Sequence, residues 1–283
     1  VRAHRHIAVL GAGIMGCSTA LFLARRGVAV SLFDEAGEPF TGASRWNEGK
    51  IHLGYLCSAD SSLRSAQHVL SGSLLFGKLT EELLDTSLDG VITEQDDLYL
   101  CHRDSLVPAD DMAHYLAQVS SLVRSHPDAG KYLVDASQAR ARQLSRTELN
   151  ATTGADEISA GFHVPERSVE TNWVADRFLQ AVAAEPRITL RLGERVLAAQ
   201  PQGNSVHGRW TVATDLRQPE HYSEVINALW HGRMGVDQTA GIAAAGVWSN
   251  RYRQSLFLRT RQRVRTPLRN YCHRPLRRHQ KLQ

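Results

Sequence analysis

The first clear pattern along the chain is a continuous apolar run, Ile7 to Leu10 within HIAVL at residues 6–10. A short strand without polar alternation is covered on both faces, as in a parallel sheet flanked by helices. Gly11 to Gly16 read as a tight turn, and Cys17 to Arg26 as a helix packing through Ala20, Leu21, Leu23 and Ala24. Gly27 then supplies the glycine that commonly follows a helix end. Residues 28–33, VAVSLF, repeat the buried-strand pattern and run into Asp34. Strand, turn, helix and strand in about thirty residues make one βαβ unit.

Further on, Leu63, Ala66, Val69, Leu70, Leu74, Leu75 and Leu79 predict a helix over 60–85. A strand pair is expected at 91–101, a helix at 109–124 and another at 171–184. Strands are expected at 188–192, 195–199, 208–214 and 223–228. The chain thus opens with βαβ, passes through a mixed middle, and returns near residue 225 to a strand of the opening type. That order is expected of a nucleotide-binding domain assembled from separated segments, with a second domain inserted.

Composition changes this picture in two places. The four cysteines (Cys17, Cys57, Cys101 and Cys272) are far apart, with neither C-x-x-C nor metal spacing, a usage that suits the reducing cytoplasm. The N-terminal VRAHRH has no secretory signal pattern and no apolar run approaches a membrane span. Nine of the 33 basic residues fall in 259–283, which has no acid; without them the net charge of +4 becomes −5. A basic tail lacking helical or strand period is a poor reader of nucleic acid, so none is expected as a partner.

The chemistry sits in Gly11-Ala12-Gly13-Ile14-Met15-Gly16, a G-x-G-x-x-G between strand and helix. In that context Gly11 permits the turn, Gly13 lets backbone amides approach a pyrophosphate, and Gly16 lets helix and strand pack closely. The helix start adds its partial positive charge, holding an anion without a basic side chain. Asp34, with Glu35 beside it, ends the second strand about twenty residues on, where a carboxylate grips the adenosine ribose and disfavours a 2′-phosphate.

The motif alone leaves NAD and FAD open. The stretch Thr41-Gly42-Ala43-Ser44-Arg45-Trp46-Asn47-Glu48-Gly49-Lys50-Ile51-His52-Leu53-Gly54 resembles the second flavin-contacting loop of FAD-dependent oxidoreductases related to D-amino-acid oxidase and the glycerol-3-phosphate dehydrogenases. The resemblance implies FAD. It places Ser44 and Arg45 along the pyrophosphate and ribityl chain, and Asn47, Gly49, Lys50 and His52 toward the ring. Gly193-Glu194-Arg195-Val196 resembles the family strand where a Val backbone reads adenine. Val225-Ile226-Asn227-Ala228-Leu229-Trp230 resembles the strand returning beneath the cofactor, although the family's Asn-Ala-x-Gly has Trp230 in the glycine's place and glycine only at Gly232.

The implied fold is α/β: a Rossmann-type FAD-binding domain, a parallel sheet with flanking helices, plus a second, mixed α+β substrate domain. The expected segments are 1–90 and 166–235 for the FAD-binding domain, 91–165 and 236–258 for the substrate domain, and 259–283 as a basic irregular tail. The resemblance spans about 6–258. The family's closing segment has no visible counterpart after it, so the chain is expected to be C-terminally incomplete, through truncation or a frame shift near residue 260.

His52 is the candidate catalytic residue, because a neutral imidazole can take a proton as hydride leaves the substrate. A histidine that merely packs on the cofactor is the alternative. Arg45 is read toward the cofactor; Lys50 reads equally as a loop charge. Tyr55 suits a pocket wall or plain packing, and Arg233 and Arg251 suit a carboxylate clamp or, more simply, surface ion pairs. Glu170, Thr171 and Asn172 read as a helix start and Asp237 as a turn residue. His102, His114 and His126 are too scattered for zinc, and no metal is expected.

These readings converge on an FAD-dependent oxidoreductase. It is expected to oxidise a C–H bond beside an amine or hydroxyl of a small polar substrate, passing electrons to oxygen or another acceptor. The alternatives are an NAD-dependent dehydrogenase and a non-catalytic fragment of a flavoenzyme.

Overall fold

The computed structural model describes residues 5–203, 209–246 and 269–272. In chain order the elements begin β1 (His6–Leu10), α1 (Ile14–Ala24), β2 (Ala29–Asp34), β3 (Lys50–Ile51), α2 (Arg64–Leu84), β4 (Asp97–His102) and α3 (Ala109–Ser125). They continue with β5 (Arg142–Gln143), α4 (Arg146–Thr152), β6 (Ile158–Val164), β7 (Arg167–Ser168), α5 (Thr171–Ala184) and β8 (Ile188–Leu192). The remainder are β9 (Val196–Gln202), β10 (Arg209–Thr214), β11 (Glu220–Tyr222), β12 (Glu224–Asn227), α6 (Arg233–Thr239) and β13 (Arg269–Cys272). They fall into two compact units.

The first unit takes described residues up to 48, 83–85, and from 170 to 246. Its sheet has the order β12-β1-β2-β8, and every pair is parallel. Ile7, Ala8, Val9 and Leu10 are all buried, the double-sided cover that the apolar run implied. Alternation sorts them: Ala8 and Leu10 join Phe33, Ala199, Val212 and Tyr222 in one cluster. The antiparallel meander β9–β10–β11 supplies Ala199, Val212 and Tyr222. The helix α1 packs on β2 and α5 through Cys17, Ala20, Leu21 and Ala24.

The second unit takes 49–82, 86–169 and 269–272. Its sheet has the order β13-β4-β6-β5, antiparallel except for β13, which runs parallel to β4. The two-residue period of β4 divides two cores: Tyr99 and Cys101 face the larger, with α2 and α3, whereas Leu98 and Leu100 meet Leu144, Leu149 and Ile158. The short strands β3 and β7 pair separately, Lys50 opposite Ser168 and Ile51 opposite Arg167. The Tyr132 hydroxyl clamps them, donating to the Ile51 carbonyl at 2.6 Å and accepting from the Arg167 amide at 2.8 Å.

Several expectations are corrected. The first unit's opening segment stops at 48 rather than 90, and its return begins at 170 rather than 166. Helix α1 starts at Ile14, so Gly16 lies inside it rather than in the turn. Helix α2 starts at Arg64, because Asp60 captures the Ser62 and Ser65 amides and folds 60–63 into a turn. The expected strand pair at 91–101 is one strand, β4, with Ile92 making only an isolated bridge to Val169. The tail expected to lack regular structure contributes β13.

Candidate functional site

In the first unit, the Gly11–Gly13 turn joins β1 to α1, whose first turn carries Gly16. The Gly11 amide donates to the Phe33 carbonyl on β2 at 2.8 Å. Gly11 has a φ of +97°, and a β-carbon there would come within 2.9 Å of the Ala228 carbonyl oxygen. A β-carbon on Gly16 would collide with the Gly11 carbonyl oxygen. One on Gly13 would stand 3.0 Å from the Ser44 hydroxyl oxygen. Gly11 is thus required by the residue after β12 and Gly16 by the turn itself, whereas Gly13 faces only a side chain of the loop after β2.

Two side chains close on this turn. Asp34 Oδ2 accepts the Ala12 amide at 2.7 Å and Oδ1 accepts the Ala36 amide at 2.9 Å, leaving each oxygen a second lone pair. Ser44 Oγ accepts the Ile14 amide at 3.0 Å. Gly13, at the helix cap position, offers no side-chain cap, so the remaining first-turn amides have no intrahelical partner. Burial pushes the Cys17 thiol up to about 12, with the Asp34 charge adding to the shift. It is an unreactive packing group.

The other predicted cofactor residues of this unit divide. The Glu194 amide bonds to the Asp34 carbonyl at 3.0 Å, and the Gly193 amide to the Ala36 carbonyl at 2.9 Å. These bonds bring the segment leading to Val196 against the end of β2. The Ala228 amide bonds to the Leu10 carbonyl at 2.9 Å, backing the turn. Asn227 is turned to structure, donating to Asp237 and the Arg233 carbonyl and accepting from the Leu229 amide. Arg45 pairs with Asp176 at 2.6 Å and reaches Asn172, both on α5. Asn47 donates to the Ala43 and Ser44 carbonyls, shaping its own loop. Met15 and Glu35 are exposed, Glu35 lying 3.8 Å from His231.

The second unit holds Gly49, Lys50 and His52. Gly49, at φ +68°, accepts the Val169 amide through its carbonyl. Lys50 is 1% exposed and paired with the Asp97 carboxylate, itself buried, with its ammonium 5.4 Å from the Tyr99 ring centre. A side chain so enclosed presents no surface to a ligand. His52 is partly exposed, with Nδ1 3.3 Å from Glu166 Oε2. Glu166 is fully buried and also accepts the Leu53 amide and the Tyr99 hydroxyl, each at 2.6 Å. The sequence reading missed this carboxylate. Glu166 sits between Pro165 and Arg167 and reads as an ordinary loop charge, since its donors lie far away along the chain.

The remaining candidates among the described residues make structural contacts. Tyr55 is buried and bonded to Ser120, and burial raises its hydroxyl pKa. Arg233 pairs with Asp237 one helical turn away on α6. Glu170 and Thr171 start α5 without a side-chain cap bond. Arg251 lies outside the described residues.

The first unit's turn passes a test of fit for a dinucleotide. Its cradle admits only glycine at two of the three positions, uncapped amides face the helix start, and a carboxylate closes the neighbouring strand. The sequence profile of the family described as FAD dependent oxidoreductase matches residues 6–277. That match runs past residue 258, where the likeness read from the sequence had ended. The tRNA 5-methylaminomethyl-2-thiouridine biosynthesis bifunctional protein MnmC of Chromohalobacter salexigens is 33% identical over 193 residues, covering 68% of this chain and 24% of that protein. Among solved structures, glycine oxidase from Geobacillus kaustophilus has a TM-score of 0.62 at 19% identity, covering 84% of this chain and 59% of its own. Iminodiacetate oxidase from Chelativorans sp. BNC1 has a TM-score of 0.55 at 21% identity, covering 82% of this chain and 56% of its own. At these identities the structural likeness is one of fold. The chain spans about a quarter of the curated relative it matches and just over half of each of these two structures.

Proposed function

The chain belongs to the FAD-dependent oxidoreductase family, and we propose that it oxidises a carbon–hydrogen bond beside an amine or hydroxyl of a small polar substrate. The observation that carries this reading is the closure of the glycine turn by Asp34 and Ser44. Bare backbone amides at a helix start hold a diphosphate, and a carboxylate on the next strand accepts ribose hydroxyls. The residues proposed to hold FAD are Gly11 to Gly16, Asp34 and Ser44, with the backbone near Val196 at the adenine end and Ala228 behind the turn. The chemistry that cofactor supplies is acceptance of a hydride from carbon.

His52 is proposed to take the proton released from the substrate's amine or hydroxyl. This role rests on the likeness of residues 41–54 to the family's flavin-contacting loop. Matched structures are named for oxidases of glycine and iminodiacetate, which favours an amine; another is named for an α-glycerophosphate oxidase, which keeps the hydroxyl in view. Free thiols at Cys17, Cys57 and Cys101 suit a reducing, cytoplasmic setting. No described helix is long and apolar enough to cross a membrane.

The test is anaerobic mixing of FAD-loaded protein with four panels: small amino acids, N-substituted glycines, α-hydroxy acids and polyol phosphates. Bleaching of the flavin band by one panel is expected. A band unchanged by all four would count against the proposed reaction.

A further inference from the structure

Beside the residues the family likeness points to, the second unit contains a buried carboxylate with a definite relation to His52. Glu166 is fully buried yet has three polar neighbours: the Leu53 amide donates to Oε1 and the Tyr99 hydroxyl to Oε2, and His52 Nδ1 lies 3.3 Å from Oε2. Beside its carboxylate lies the His52 imidazole, which is cationic only when protonated. The nearby Lys50 is spent on Asp97, and Arg167 pairs with Asp96 at 2.5 Å.

We propose that Glu166 is the positioning residue for His52, holding it as the Nδ1–H tautomer so that Nε2 carries the lone pair that accepts the substrate's proton. A carboxylate only accepts hydrogen bonds, so a bond to Nδ1 requires the hydrogen on that nitrogen. The other nitrogen is then the basic one. When Nε2 takes up a proton, the imidazolium meets a buried carboxylate, the same division of labour by which a buried aspartate serves a catalytic histidine in acyl transfer. Tyr99 and the Leu53 amide hold the carboxylate still, and Tyr132 fixes β3 and β7, the strands on which His52 and Glu166 border. The catalytic part of this inference rests on the proposed oxidase reading; the tautomer does not.

The test reads the ring nitrogens of His52 by NMR in the full chain labelled with 15N-histidine, assigned by loss of its signals in His52→Asn. At neutral pH a protonated Nδ1 and an unprotonated Nε2 are expected. Glu166→Gln is expected to move the population toward the Nε2–H form. Tyr99→Phe, which leaves the His52–Glu166 bond in place, is expected to retain the Nδ1–H form. A wild-type His52 found mainly as Nε2–H overturns the proposal whether or not Glu166→Gln folds, and so does a tautomer unmoved in a folded Glu166→Gln. No flavin or substrate enters this measurement, so a protein that binds no FAD would sink the oxidase reading while leaving this result standing.

Discussion

Asp34 reaches back from the end of β2 to the turn that precedes α1, its Oδ2 accepting the Ala12 amide at 2.7 Å. Its other oxygen takes the Ala36 amide. One side chain therefore organises both the start of the helix and the loop that leaves the neighbouring strand. Asp34→Ala strips the acceptor from both amides, and bonds to a charged group are worth about 1.5–3 kcal/mol each before solvent repair. FAD affinity is expected to fall by roughly 10–100-fold, with Asp34→Asn losing less because one acceptor remains. Titration of FAD into each purified variant checks the order.

The glycines of the turn are expected to differ sharply. Gly16→Ala sets a methyl against the Gly11 carbonyl, which is rigid backbone, and is expected to abolish flavin retention and lower the melting temperature. Gly13→Ala meets only the Ser44 hydroxyl, which can rotate away at the loss of its bond to Ile14, about 1 kcal/mol. Gly42→Ala has no atom within 4 Å and is expected to match the wild type. The flavin-to-protein ratio and thermal unfolding of the three variants decide it.

In the second unit, the buried Lys50–Asp97 pair predicts strong non-additivity. Removing either partner strands the other charge, at about 3–5 kcal/mol. Lys50→Met and Asp97→Leu are each expected to destabilise by that order, and the double variant by less than their sum. Urea unfolding at neutral pH gives the cycle; simple additivity would show that the two charges are not coupled.

The acid limb of stability is assigned to a network on the first unit's edge. Arg191 bonds both Glu194 and Glu220, and holds each carboxyl below its ordinary value of 4.5. Because the folded pKa is depressed, this contribution is complete above the ordinary value and is lost as pH falls through the depressed one. Glu194→Gln is expected to be less stable than wild type at neutral pH and to show a shallower loss on acidification. Unfolding curves from pH 7 to pH 3 test both halves; an unchanged slope contradicts the assignment.

Much of the first unit is legible in the chain because its signals are local. The strands at 6–10 and 188–192 and the helix at 171–184 stand where their patterns put them. The second unit is less legible. β6 does alternate, burying Ile158, Ala160, Phe162 and Val164 and exposing Ser159, a strand signal that also went unused. α4 carries a readable signal that went unused: Ser145 and Glu148 form a capping box. Glu166 had none, since its burial and its contacts with Leu53, Tyr99 and His52 exist only once β3, β4 and the loop before β7 come together. Lys50 misleads for the same reason, a loop charge in sequence that becomes a buried ion pair through Asp97.

The absorption spectrum of the purified full chain, before and after adding FAD, bears most directly on whether the Gly11–Gly16 cradle holds a flavin. Protein carrying flavin bands, or acquiring them on reconstitution and losing them in Gly16→Ala, is the expected result. Colourless wild-type protein that retains no added FAD, or a Gly16→Ala variant that folds and binds it as well as wild type does, would contradict the claim.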